Sequence, residues 1–225
     1  MLTAVAVAGL AIGGCGSSAS KPLPASWERG MNVTAYQPNA FALPIADKAL
    51  SDLRDTGTNS VALVTQWYMD HAASTVVAPD PAKTPSDQSL LHAMATARML
   101  GMRVVLKPHV DVRDGTFRGD IQPLSVDRWF TGYRAMIGHY AQVAAQGGAS
   151  TLVVGVELTS MAQHPDLFRR VIADARARFP GRLTFAANWS TGAAQIRFWD
   201  ALDEIGIDAY MPLRTSTLDP SVSAL

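Results

Sequence analysis

Short apolar runs alternate along this chain with longer segments of helical period, and that alternation limits the available folds more than any single residue does. Runs of strand length fall at Gly30–Thr34, Ser60–Thr65, Arg103–His109, Thr151–Leu158, Leu183–Asn188 and Ile207–Met211. Between them, helical periods occupy Ile45–Thr56, Asp87–Leu100, Val126–Gln146, Pro165–Phe179 and Ala193–Leu202. Strand–helix alternation implies a parallel α/β sheet. Units of about 30 to 40 residues match a (β/α)8 TIM barrel, which closes at eight strands. The chain ends shortly after the sixth run, so the pattern predicts a barrel truncated after its sixth strand. A doubly wound open sheet is the alternative. It would carry a glycine-rich phosphate loop after the first strand, where Asn32–Pro38 reads NVTAYQP instead.

The punctuation agrees with this division. Gly57 and Gly101 follow helical periods, Gly147-Gly148 follows the longest, and Pro180-Gly181 precedes a strand. Ser86 or Asp87 can cap the second helix, and Asp127 stands where a carboxylate favours the dipole of the third. With 48% hydrophobic and 17% charged residues, the chain can build one sizeable core and is not disordered. Nineteen Lys and Arg balance nineteen Asp and Glu without a basic run, which argues against nucleic acid and anionic membranes and favours a neutral ligand.

Leu2–Gly14 is uncharged, apolar and short for a bilayer span, and it reads as the h-region of an export signal. The single cysteine, Cys15, follows Ile12-Gly13-Gly14 in an order that resembles a bacterial lipobox. That resemblance implies lipidation of Cys15 and an exported, envelope-anchored protein whose only membrane contact is the lipid. The alternatives are an ordinary signal peptide in which Cys15 is incidental and a short buried helix, and no Lys or Arg precedes the apolar stretch. The expected organisation is signal and lipobox over 1–15, a tether over 16–26, and a partial catalytic barrel over 27–225. One cysteine excludes an intramolecular disulfide.

Glu157 ends the run TLVVGV, which reads as a strand buried on both faces. A carboxylate there is costly, and either an ion pair or a catalytic site at the strand's C-terminal end must compensate. The other strand ends bring compatible chemistry: Asn32, then Gln66, Trp67 and Tyr68, then Lys107, His109 and Asp111, then Asn188 and Trp189, and finally Tyr210. Aromatic faces beside amides and carboxylates suit a sugar. Singly, Trp67, Tyr68 and Trp189 read as packing, and His109 as a satisfied interior histidine. His109 and Asp111 are also spaced like metal ligands, but no second cluster completes a site, so neither a metal nor a cofactor is expected. Lys107 offers a rival chemistry, a Schiff-base lyase.

The segments GMNVTAY, GTNSVALVTQWYMD, RVVLKPHVDVRDGTFRGDIQP, WFTGYRAMIGHYA, LVVGVELTSM and GIDAYMPL together resemble glycoside hydrolase family 113. The resemblance spans about Trp27 to Leu213 and implies a (β/α)8 enzyme of the large retaining clan with endo-β-mannanase activity on a β-linked glycan. It assigns the general acid/base to Glu157 and the nucleophile to the end of a seventh strand. Trp67, His109, Asp111, Asn188, Trp189 and Tyr210 would lie in or beside the glycan cleft. Val156 stands where much of the clan has Asn. Asp200, Asp203, Glu204 and Asp208 lie too early for the nucleophile, so the resemblance implies a fragment with little activity of its own. A surface glycan-binding protein without hydrolysis is the non-enzymatic alternative.

Overall fold

The computed structural model describes residues 27–189 and 192–210. The export signal, the tether and Cys15 lie outside the described residues, as does Met211 at the expected end of the sixth strand. Strands β1 (Gly30–Thr34), β2 (Ser60–Met69), β3 (Arg103–Val112), β4 (Thr151–Val156), β5 (Arg182–Asn188) and β6 (Glu204–Asp208) form one sheet. Their spatial order is β1-β2-β3-β4-β5-β6 and every neighbouring pair is parallel. Helices α1 (Pro44–Asp55), α2 (Asp87–Met99), α3 (Val126–Gly147) and α4 (Pro165–Arg176) cross between successive strands from β1 to β5, the winding of a (β/α) barrel.

Several helix boundaries have a local cause. Ser86 and Ser125 cap α2 and α3 by accepting from the backbone N–H of Ser89 and Arg128. Gly148 ends α3 in the left-handed conformation that an L side chain resists, at φ 66°. Two expectations are corrected. The predicted helix Ala193–Leu202 is a single turn, α5 (Gly192–Gln195), followed by a 3-10 turn at Trp199–Ala201. Between them Phe198 is fully buried and stacks on Phe168, which breaks the helical path. The sixth strand runs from Glu204 to Asp208, three residues earlier than expected, so Tyr210 lies beyond its end.

The sheet has two chemically distinct faces because side chains alternate along each strand. Leu63, Val104, Leu106, Leu152, Val154, Leu183 and Phe185 point to the helix side and join the main core with Leu90, Met94, Trp129, Tyr133, Phe168 and Val171. The opposite face carries a small apolar cluster, Val153, Val156 and Ala186 with Val105. Beyond that cluster, toward the C-terminal strand ends, this second face turns polar.

Candidate active site

Parallel register sets the polar face. Gln66 pairs with His109 and Tyr68 with Asp111 across β2 and β3, while Asn188 pairs with Asp208 across β5 and β6. Lys107, His109 and Asp111 stand two apart on β3 and therefore share that face. Trp67, one residue out of phase with Gln66 and Tyr68, is set apart on the helix side, with its ring 6.1 Å from His139 and 6.2 Å from Tyr140. Trp189 follows β5 directly and is 38% exposed, and Tyr210 is 73% exposed. Asn32 is exposed on β1.

Glu157 follows β4 after a register irregularity between Val153 and Val156. Its N–H donates to the Ala186 carbonyl at 2.8 Å, and its own carbonyl accepts from the Thr159 N–H at 2.8 Å. Among the described residues it alone, glycines aside, has positive φ, at 52°. Such a conformation costs about 1–3 kcal/mol, and residues that keep it cluster at functional sites. Burial, with help from the nearby Asp208 carboxylate, raises the pKa of Glu157, while Arg118 and Lys107 oppose the rise.

Arg118, in the loop after β3, organises the site. One guanidinium N–H donates to His109 Nδ1 at 2.7 Å and another to Asp111 at 2.7 Å. Glu157 Oε2 is 3.9 Å away, a loose contact, so this carboxyl is not locked into an ion pair. Because arginine only donates, His109 Nδ1 must accept and the ring proton must sit on Nε2. Burial first, then Arg118 and Lys107, push the His109 pKa down to about 2, so the ring is neutral. Its Nε2–H and the Gln66 amide are buried without partners among the described residues. Arg118 occupies the space between His109 and Asp111 that a metal bound to both would need. Lys107 Nζ pairs with Asp208 at 2.8 Å, with both side chains largely buried. Amine chemistry at Lys107 would first have to break that pair.

Sequence reasoning overlooked Arg118 and the place of Asp208 in this cluster. The charge density of Lys107–Gly119 pointed to the loop but not to the side chain that folds back. An Arg118→Gln variant is expected to raise the titration midpoints of Glu157 and His109 together, because one cation depresses both. Carbon-detected NMR titration of the Glu157 carboxyl and the His109 ring checks this; a fall in either midpoint would remove Arg118 from the electrostatics.

The profile described as Glycoside Hydrolase Family 113 matches residues 31–223. Among solved structures, a β-mannanase of that family from Alicyclobacillus acidocaldarius, in complex with ManMIm, is similar at 33% identity and TM-score 0.79 over 82% of this chain. A second family 113 β-1,4-mannanase, solved as a complex, is similar at 28% identity and TM-score 0.78 over 81% of the chain. The chain spans 62% of the length of each. A β-glucuronidase from Ruminococcus gnavus, at 13% identity and TM-score 0.52 over 80% of this chain and 28% of its own, shares the fold alone. No curated protein matches.

Proposed function

This chain belongs to glycoside hydrolase family 113, and from that premise we propose that Glu157 is the general acid/base of a retaining hydrolase acting on β-linked mannan. The observation that carries the reading is Glu157 itself, a strained, largely buried carboxyl whose proton affinity is raised by burial and by Asp208. An acid whose proton affinity is raised can protonate the departing glycosidic oxygen and, once ionised, draw a proton from the incoming water. Asp208, engaged by Lys107 at 2.8 Å, serves in this reading to hold the proton on Glu157. Retention also needs a nucleophilic carboxylate about 5–5.5 Å from the acid. The family resemblance puts it at the end of a seventh strand, beyond β6.

Tyr68, His109, Asp111 and Asn188 supply the polar contacts for the sugar in this proposal, with Trp189 at the margin. The β-mannanase and β-1,4-mannanase descriptions of the similar structures support mannan as the substrate class. The test is to incubate a protein carrying this chain with β-1,4-mannan and to follow newborn reducing ends by proton NMR. Initial appearance of the β-anomer supports retention and the role of Glu157. Initial α-anomer, or no new reducing ends, would overturn the proposal.

A further inference from the structure

We propose that Lys107 is a positioning residue for the acid: by pairing with Asp208 it ties β3 to β6 across the inner face of the sheet and holds that carboxylate beside Glu157. The proposal rests on the reading of Glu157 as the general acid/base, and it gives Lys107 a role other than sugar contact or amine chemistry. Lys107 Nζ stands 2.8 Å from Asp208 Oδ1, and the two side chains are 11% and 16% exposed. Strands β3 and β6 are not neighbours, since β4 and β5 lie between them in the sheet. The pair is therefore a chord across the curl, and Glu157 directly follows β4, one of the two strands that it spans.

Strand register fixes the level of this chord. Lys107 stands two residues beyond Val105, and Asp208 registers with Asn188, two beyond Ala186. Val105 and Ala186 belong with Val153 and Val156 to the small apolar cluster of the inner face. The pair thus rests on an apolar layer. The acid is fastened to the same layer, because Glu157 follows Val156 and its N–H donates to the Ala186 carbonyl at 2.8 Å.

Taking both charges out of water is costly, and a well-packed apolar pair in such a place is often as stable or more so. Stability alone therefore does not account for Lys and Asp here. What they supply, and an apolar pair would not, is a negative charge held in one place. Asp208 raises the proton affinity of Glu157, while Arg118 from the loop after β3 and Lys107 itself lower it. The other titratable groups on this polar face are answered: His109 is neutral, Asp111 is engaged by Arg118 at 2.7 Å, and Tyr68 on β2, with its pKa pushed up to about 12 by burial, stays protonated. Among the described residues Asp208 is the one anion in that balance, so its direction decides the outcome. Released from Lys107, its side chain can rotate away from the acid.

A double-mutant cycle read at Glu157 tests the tie, because two charges that act independently shift a third group additively. The midpoint of the Glu157 carboxyl, followed by carbon-detected NMR, is expected to fall on Asp208→Asn by about half a pH unit or more, roughly a threefold rise in its acid dissociation constant. In the Lys107→Met background the same Asp208→Asn change should move it less than half as far. Lys107→Arg, which keeps a cation opposite Asp208, guards against misfolding of the Met variant: in it Glu157 should titrate close to the wild-type midpoint. The falling alkaline limb of mannan hydrolysis by a protein carrying this chain should move with the midpoint in every variant. Equal shifts in both backgrounds, or an Arg variant displaced as far as Asp208→Asn, overturn the tie and leave the reading of Glu157 intact. Absence of mannan hydrolysis by the wild type overturns both.

Discussion

A Glu157→Gln variant is expected to lose about 10²- to 10⁴-fold in mannan turnover and, at the same time, to melt at a higher temperature near neutral pH. The first effect follows because the amide has the volume of the acid but cannot deliver or accept the proton. The second follows from the sign of the pKa shift, which is upward for Glu157 in the folded chain. A carboxyl with a raised folded pKa contributes its stabilisation in full below its unfolded pKa, and the contribution is lost as pH rises through the folded one. Gln mimics the protonated form at every pH. Its advantage over wild type should therefore be near zero in acid, grow through that window, and level off toward neutral pH at about 1 kcal/mol, the size usual for relieving a functional site. For a chain of this length that is roughly 2–4 °C in melting temperature. Melting curves between pH 4 and 7 check it. A wild type more stable than the variant at pH 7 would mean that the ionised carboxyl is well solvated, and the acid role would lose its physical basis.

The alternation of runs and helical periods made the parallel winding legible, because period 2 and period 3.6 are imposed by the core and not by function. The same parity explains which site residues could be read. Lys107, His109 and Asp111 stand two apart, and the sheet places all three on the polar face. Trp67 obeys the same parity: it lies between Gln66 and Tyr68, and strand alternation sends it to the helix side against Tyr140. Arg118 could not be read in this way, because no period fixes the direction of a loop side chain. The Lys107–Asp208 pair joins residues 101 apart in sequence, a contact that only the curled sheet creates. In the fifth helical segment a tertiary contact overrode local preference: Phe198 is worth more stacked on Phe168 than continuing a helix.

Truncating Phe168 to Ala is expected to cost about 3–5 kcal/mol. Phe168 is fully buried on α4 and meets four rings, Phe130 at 5.2 Å, Tyr133 at 6.0 Å, Phe185 at 5.5 Å and Phe198 at 4.8 Å. Those rings belong to α3, β5 and the segment after α5, so one void would loosen three neighbours that cannot all collapse into it. Urea denaturation should show the midpoint falling with little change in slope, and Phe168→Leu should recover a good part of the loss. A loss below about 1 kcal/mol would mean that these aromatics pack pairwise and not as a unit. The consequence reaches the site, because Phe185 leans on Phe168 and its ring also fills the space where a Cβ on Gly155 would stand, two residues before Glu157. Amide hydrogen exchange in the Phe168→Ala variant should therefore accelerate across Leu152–Glu157 more than across β2, which does not rest on that ring.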